Sequence, residues 1–267
     1  VGGTILSSAL AVAAGRGEKP ITSLTLMTTL LDFAAPGDLG CFIDEAMVAA
    51  REAAIGKGGL LPGRDMATVF SSLRANDLIW NYVVGNYLKG EKPQAFDLLY
   101  WNADSTNLPG PFLAYYLRHM YLENALRQPG RLEMLGVKVD LSKIKAPAYV
   151  LATREDHIVP WQAAYQSLQI LGGKNQFVLG ASGHIAGAIN PASKNKRGYW
   201  LNGDAIATQT PEEWLEDAVE QKGSWWTHWI KWLAQYGGKK VPAPGKPGNR
   251  KYKPIEPAPG RYVKQKS

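Results

Sequence analysis

Apolar residues along the chain switch between the spacings that favour helix and strand. Val1-Gly2-Gly3-Thr4 runs straight into an Ala-rich apolar stretch, Ile5 to Ala14, closed by Gly15, which predicts a helix. From Ile21 to Leu31 the chain is built of Thr, Leu, Ile, Ser and Met and ends in Asp32-Phe33, before Pro36-Gly37 breaks the run. Buried parallel strands have this composition. Ala148 to Thr153 and Gln176 to Leu179 read as two further short apolar strands, with a helix over Trp161 to Leu171 between them. The alternation strand, helix, strand predicts an α/β layer architecture with a parallel sheet. Asp44 to Leu126 is rich in aromatics, from Trp80 through Tyr100 and Trp101 to Tyr121, and is too long for an ordinary connection between strands. It is read as an inserted, mostly helical subdomain.

Towards the end, Thr210-Pro211-Glu212-Glu213 combines an N-cap Thr, a proline at the first helical position and a Glu three residues on, a capping box that starts a helix. Trp225, Trp229 and Trp232 fall at i, i+4 and i+7 and line one helix face, which predicts core packing rather than a ligand cage. No internal repeat is visible.

Composition narrows the class. Of 267 residues, 45% are hydrophobic and 20% charged, which excludes a disordered, collagenous or coiled-coil chain. The longest apolar stretches fall short of the roughly 20 residues a bilayer span needs. The lone cysteine, Cys41, excludes an internal disulfide framework and a zinc cluster built around thiolates, and suits a reducing compartment. A net charge of +7 first suggests nucleic acid or a membrane surface as partner. However, residues 237–267 hold nine Lys and Arg against Glu256 alone, which leaves the remainder one charge below neutral. A near-neutral body with a basic, Pro/Gly-rich tail reads as a globular domain with a solvated extension, not as a nucleic-acid-binding face.

Chemistry in open α/β sheets sits outside the carboxyl ends of the strands. Asp156 follows the strand ending at Thr153, and His184 follows the strand ending at Leu179. An acid that orients an imidazole acting as general base is what a nucleophilic enzyme needs, and Asp156 before His184 fits the last two members of the order nucleophile, acid, histidine. Spacing alone leaves open that Asp156 caps the next helix and that His184 is a loop residue. Val1-Gly2 fits the last two positions of a nucleophile elbow, G-x-nucleophile-x-G, with the Ala-rich helix as the elbow helix. On that reading the nucleophile is the residue immediately before Val1, and the chain is expected to be cut at its start.

Seven motifs then occur in order. They are Val1-Gly2-Gly3-Thr4, Trp80-Asn81-Tyr82-Val83-Val84, Asn107-Leu108-Pro109-Gly110-Pro111, Arg154-Glu155-Asp156-His157-Ile158-Val159-Pro160-Trp161, Gly180-Ala181-Ser182-Gly183-His184-Ile185-Ala186-Gly187, Gly223-Ser224-Trp225-Trp226 and Ile255-Glu256-Pro257-Ala258-Pro259-Gly260-Arg261-Tyr262-Val263. Together they make the chain resemble, over nearly its whole length, the catalytic domain of class I polyhydroxyalkanoate synthases. The resemblance implies the carboxyl-terminal part of an α/β-hydrolase fold: 1–35 as elbow helix and strand, 36–128 as a cap covering the site, 129–236 as the rest of the core and 237–267 as the basic tail.

It further implies polymerisation of (R)-3-hydroxyacyl-CoA, for class I 3-hydroxybutyryl-CoA, with release of CoA. Asp156 and His184 would be two members of a triad, and the nucleophile a cysteine directly before Val1. The Val1 backbone N–H would form part of the oxyanion hole. CoA enters as part of the substrate; no metal or other cofactor is expected. The implied partners are the growing polyester chain, a second copy in a homodimer and the surface of cytoplasmic polyester granules, without nucleic acid or a transmembrane segment. Without the strands that precede Val1 the sheet would leave a long exposed edge, so the isolated 267 residues are expected to fold poorly.

Other residues receive plainer readings. Cys41 has no base near it in sequence and is read as an incidental thiol. His157 adjoins Asp156, but neighbouring side chains after a strand point apart. His119 and His228 lie in helical patterns as packing or surface residues. Ser182 imitates a serine elbow and, with Asp204 and His228, would give a serine esterase or depolymerase. Against this, His184 stands where the elbow wants Gly, and Asn190-Pro191 cuts short the following helix. The third reading is a non-catalytic protein of the granule surface.

Overall fold

The apolar run Ala148–Thr153 is buried at all six positions, which places it inside a sheet covered on both faces. The computed structural model describes residues 1–93, 104–203 and 209–265. Tyr100, Trp101 and Asp204 therefore lie outside the described residues. The described chain opens with helix α1 (Gly2–Gly15) and continues through β1 (Leu24–Met27), β2 (Leu60–Leu61), β3 (Leu108–Pro109), β4 (Glu133–Met134), β5 (Val137–Lys138), β6 (Ala148–Thr153), β7 (Asn175–Gly180), β8 (Gly198–Leu201) and β9 (Val219–Lys222). Two compact units are formed, one by Val1–Ala49 with Tyr115–Gly238, the other by Ala50–Ala114 with Lys239–Ser267.

The first unit holds a five-stranded sheet in the order β1-β6-β7-β8-β9. β1, β6 and β7 run parallel, with Leu24 opposite Ala148 and Ala148 opposite Asn175. β8 and β9 are antiparallel additions, so the sheet is mixed rather than wholly parallel as the sequence pattern predicts. The two added strands are four residues each, and β9, Val-Glu-Gln-Lys, carries no apolar signature. Because β8 runs against β7, the start of β8 lies beside the carboxyl end of β7.

Side-chain alternation distributes the core over both faces of the sheet. On one face Tyr149, Leu151, Val178, Tyr199 and Trp225 are buried together, with Trp229 and Trp232 packed against them. Trp225, Trp229 and Trp232 thus form the core-facing stripe expected from their spacing. The opposite face carries Phe177, whose ring centroid lies 5.0 Å from that of Tyr165 and 4.8 Å from that of Trp214 in edge-on contacts. Full burial of side chains of this kind stabilises by about 1.5–3 kcal/mol each. Trp214 is held in place by the predicted capping box, in which Thr210 Oγ1 accepts from Glu213 N and Glu213 Oε2 accepts from Thr210 N.

Two elements are shorter than their sequence pattern. The strand expected over Ile21 to Leu31 spans only Leu24–Met27, because Thr28 takes a left-handed backbone with φ of 44° and ends the extended run. The helix expected over Trp161 to Leu171 divides into Trp161–Tyr165 and Ser167–Ile170 around Gln166. β4 and β5 form a hairpin whose two linking residues, Leu135 and Gly136, both have positive φ, the backbone of a type I′ turn.

The second unit contains the helix Gly63–Leu73 and the short antiparallel pair β2–β3. Gly63 N donates to Asn107 Oδ1 at 2.8 Å, and Gly110 N donates to the Gly59 carbonyl at 2.9 Å. Trp80, Tyr87 and Leu88 of this unit are exposed. Its basic segment is irregular among the described residues, apart from a single turn at Tyr262–Lys264.

Candidate active site

Parallel pairing brings the carboxyl ends of β1, β6 and β7 to one edge of the sheet, and the loops that follow them converge there. After β6 the chain turns through Arg154 and Glu155 into Asp156. The Asp156 N–H donates to the Thr153 carbonyl at 3.2 Å, which folds the loop back on the strand end. The Asp156 side chain is fully buried and has donors on both oxygens. Oδ1 accepts from Ile158 N and Val159 N, each at 2.9 Å, while Oδ2 accepts from Thr153 Oγ1 at 3.5 Å. The remaining interaction of Oδ2 is with His184 Nδ1, 2.7 Å away.

His184 reaches Asp156 because β7 ends at Gly180 beside Thr153, and the chain crosses over through Ser182 and Gly183. The Glu155 N–H donates to the Ser182 carbonyl at 3.1 Å and ties the two loops together. His184 opens the short helix His184–Ala188, which packs on β6 through Gly187. The His184 side chain is 30% accessible, and Nε2 has no hydrogen bond among the described residues. Nδ1–H pointing at a buried carboxylate selects the tautomer whose Nε2 lone pair faces outward. That is the arrangement of an imidazole able to take and return a proton.

Val1 stands at the same edge of the sheet. Thr4, in the first turn of α1, donates from Oγ1 to the Leu30 carbonyl at 3.0 Å and pairs with Tyr116 Oη at 3.2 Å, and Leu30 lies just beyond the carboxyl end of β1. Gly3 makes this approach possible, since a Cβ there would come within 2.3 Å of Thr29 Oγ1. Val1 O accepts the first helical bond, from Ile5 N at 3.0 Å, so the N–H groups that open α1 have no intrahelical acceptor.

The structure keeps Ser182 and His228, two members of the serine-hydrolase set, apart; the third, Asp204, lies outside the described residues. His228 Nδ1 and Tyr149 Oη are hydrogen-bonded at 3.0 Å. Tyr149 is the second residue of β6, roughly 13 Å along the strand from Thr153, whereas Ser182 lies past the carboxyl end of β7. Burial first, and Lys231 second, lowers the His228 pKa below the ordinary imidazole value. Burial first, and Tyr199 second, raises that of Tyr149, which keeps its proton. His119 Nδ1 lies 2.9 Å from Glu123 Oε2, one turn on, with its ring against Tyr115. His157 is half-buried beside Asp156, and Cys41 is exposed. Among the described residues no group of three or more His, Cys, Asp or Glu could hold a metal ion, and no helix is long and apolar enough to cross a membrane.

Sequence spacing gave no hint of the donors behind Asp156, which come from backbone. It also missed a buried carboxylate near the end of β1. Asp32 accepts from Arg127 Nη1 at 2.6 Å, Asn124 Nδ2 at 2.7 Å and Ala34 N at 3.0 Å.

Comparison with known proteins places the chain by fold and by relatives. The model of the alpha/beta hydrolase fold family matches residues 1–191. Over its full length the chain is 58% identical to the poly(3-hydroxyalkanoate) polymerase subunit PhaC of Cupriavidus necator, covering 46% of that protein. It is similar at 45% identity, again over its full length, to the poly(3-hydroxyalkanoate) polymerase of Methylorubrum extorquens, of which it covers 44%. It is 39% identical over 99% of its length to poly(3-hydroxyalkanoate) polymerase 1 of Ectopseudomonas oleovorans, of which it covers 47%. The chain thus spans less than half the length of these curated relatives.

Proposed function

The chain belongs to the alpha/beta hydrolase fold family, and from that premise we propose that it carries the acid and base of a polyhydroxyalkanoate synthase, an acyltransferase that polymerises (R)-3-hydroxyacyl-CoA with release of CoA. The observation that carries the reading is the 2.7 Å contact of His184 Nδ1 with buried Asp156, with Nε2 facing outward. Similarity to polymerases along the whole chain gives that pair its substrate class.

In the first half-reaction His184 Nε2 takes the proton of a cysteine thiol supplied by the residue before Val1. The thiolate attacks the thioester carbonyl, and the Val1 N–H donates to the oxyanion that forms. The intermediate collapses with loss of the CoA thiolate, which takes the proton from His184 and leaves as free thiol. A hydroxyacyl thioester remains on the enzyme. In the second half-reaction the 3-hydroxyl of the next monomer gives its proton to His184 Nε2 and attacks that thioester. The ester bond forms as the C–S bond breaks, and the proton returns to the cysteine. A thiolate suits this cycle because it is both a good nucleophile and a good leaving group. Asp156 holds the ring through Nδ1–H and stabilises each imidazolium. No cofactor takes part; CoA comes and goes with the substrate. In keeping with the resemblance set out above, the working form is a homodimer at cytoplasmic polyester granules, with 3-hydroxybutyryl-CoA as the preferred monomer.

The test is CoA release and polymer yield in the full-length protein. Asp156→Asn is expected to lower turnover by about three to four orders of magnitude, since an amide holds the wrong tautomer. Near-normal polymer yield from that variant would sink the assignment. Polymer binding without any CoA release would instead favour the granule-surface reading.

A further inference from the structure

A cavity of about 300 Å³ opens at the amino end of the sheet, away from Asp156 and His184. It forms where two segments of chain converge on the starts of paired strands. α1 ends at Gly15, the chain reverses at Gly17, whose φ is 78°, and residues 18–21 run on towards β1. The turn Leu141–Lys143 packs against α1 and feeds residues 144–146 into β6, and Leu24 N donates to the Pro147 carbonyl at 2.9 Å where the two strands meet. At a rise of about 1.5 Å per residue, α1 sets this cavity roughly 20 Å from Val1.

The lining is of two kinds. Leu10 and Ile144 are buried, Ala14 and Ile21 half-buried, and together they supply an apolar floor. Lys19, Lys143 and Lys145 stand exposed at the rim with Glu18, three positive charges against one negative. None of the three lysine side chains has an ion pair or hydrogen bond among the described residues. Asp140, three residues before Lys143, is engaged in its own turn, where Oδ1 accepts from Ser142 N at 3.0 Å and Ser142 Oγ at 2.6 Å. The backbone adds donors. The N–H groups of Lys19, Ile21, Lys145 and Ala146 have no hydrogen bond among the described residues. The carbonyls of Val12, Ala13 and Ala14, by contrast, accept from Arg16, Gly17 and Glu18, which blunts the negative end of the helix. Lysines that only stayed in water would need no apolar floor, and an uncharged ligand would need no cations. The combination suits a molecule with an aliphatic body and a negative head.

We propose that this cavity is a second binding site, for an aliphatic monocarboxylate of about eight to ten carbons, with the chain on Leu10, Ala14, Ile21 and Ile144 and the carboxylate among Lys19, Lys143 and Lys145. An apolar cavity of about 150 Å³ is enough for benzene, so one of twice that volume takes such a chain with its head group. The site shares no residue with the acid and base and does not depend on the function proposed above. Its walls are nonetheless the carboxyl end of the helix that starts at Val1 and the entrance to the strand that ends beside Asp156.

The test measures octanoate binding to the full-length protein by isothermal titration. Lys143→Glu/Lys145→Glu is expected to weaken binding by about tenfold or more, with the gap narrowing at high salt and the circular dichroism unchanged. Octanol and octyltrimethylammonium should each bind the unaltered protein about tenfold or more weakly than octanoate, the first for want of a charge and the second for its sign. A diazirine-bearing octanoate photolysed on the unaltered protein locates the site without any substitution, and should label residues 10–21 or 143–146. No octanoate binding, equal binding by parent and variant, octanol binding as tightly as octanoate, or labelling confined to other residues overturns the site.

Discussion

Gly187 rests against Thr153: a Cβ on Gly187 would lie 2.5 Å from Thr153 Cγ2 and 2.8 Å from the Ala181 carbonyl. The first is a residue of the helix that begins at His184, and the second is the strand end that donates to Asp156. Gly187→Ala therefore pushes the histidine-bearing helix off the acid-bearing strand. A displacement of about 1 Å between acid and base costs on the order of a hundredfold in turnover. The expected result is a loss of that size in CoA release with the protein still folded by circular dichroism. Turnover within twofold of the parent would show that the helix shifts as a whole without disturbing the pair.

The half-buried His228 makes stability depend on pH. Its pKa in the folded state is lowered, so the unfolded chain binds a proton that the folded chain refuses. The contribution is fully present above about pH 6.5, the ordinary imidazole value, and declines as pH falls below it. His228→Gln is expected to flatten the acid side of the stability profile between about pH 5 and 7. Denaturant midpoints measured across that range decide the matter; parallel profiles for parent and variant would contradict it.

Thr210 holds the first turn of the helix that carries Trp214. Thr210→Ala removes the acceptor for Glu213 N and should cost about 1 kcal/mol. The bonds from Glu213 to Thr210 also lower the Glu213 pKa, so the benefit of its charge is present above the ordinary carboxyl value of 4.5 and lost as pH falls through the lowered one. A midpoint unchanged at neutral pH would mean that the cap contributes nothing.

Asp32 is 2% exposed and accepts three hydrogen bonds from Arg127, Asn124 and Ala34. Asp32→Ala strands those donors and should cost about 2–4 kcal/mol. Arg127→Ala should cost less, because its side chain is 47% accessible and water replaces much of the pairing. Urea titration of the two variants gives the order directly, and an equal or reversed order would refute it.

The sequence was most readable where burial is complete. Ala148–Thr153 has the bounds expected from its apolar run because both its faces are covered and polarity marks both ends. Asp156 and His184 could be singled out because loops after parallel strands must converge. β8 and β9 escaped notice because four-residue strands held by cross-strand pairing need no apolar alternation, as Val219-Glu220-Gln221-Lys222 illustrates. Thr28 ends β1 early through one left-handed residue, a choice that Thr, a β-branched residue, does not advertise.

Neighbours in the sheet are made at very different times. β1 pairs with β6, about 120 residues later in the chain, whereas β6 and β7 are separated by one short helical crossover. At a synthesis rate of roughly 5–20 residues per second, β1 leaves the ribosome on the order of 6–24 s before its partner exists. Throughout that interval Leu24 and Leu26, only 2% and 1% exposed once folded, lack β6 beside them. A chaperone that shields nascent apolar segments should therefore be needed at β1 sooner and for longer than at the strands that carry Asp156 and His184.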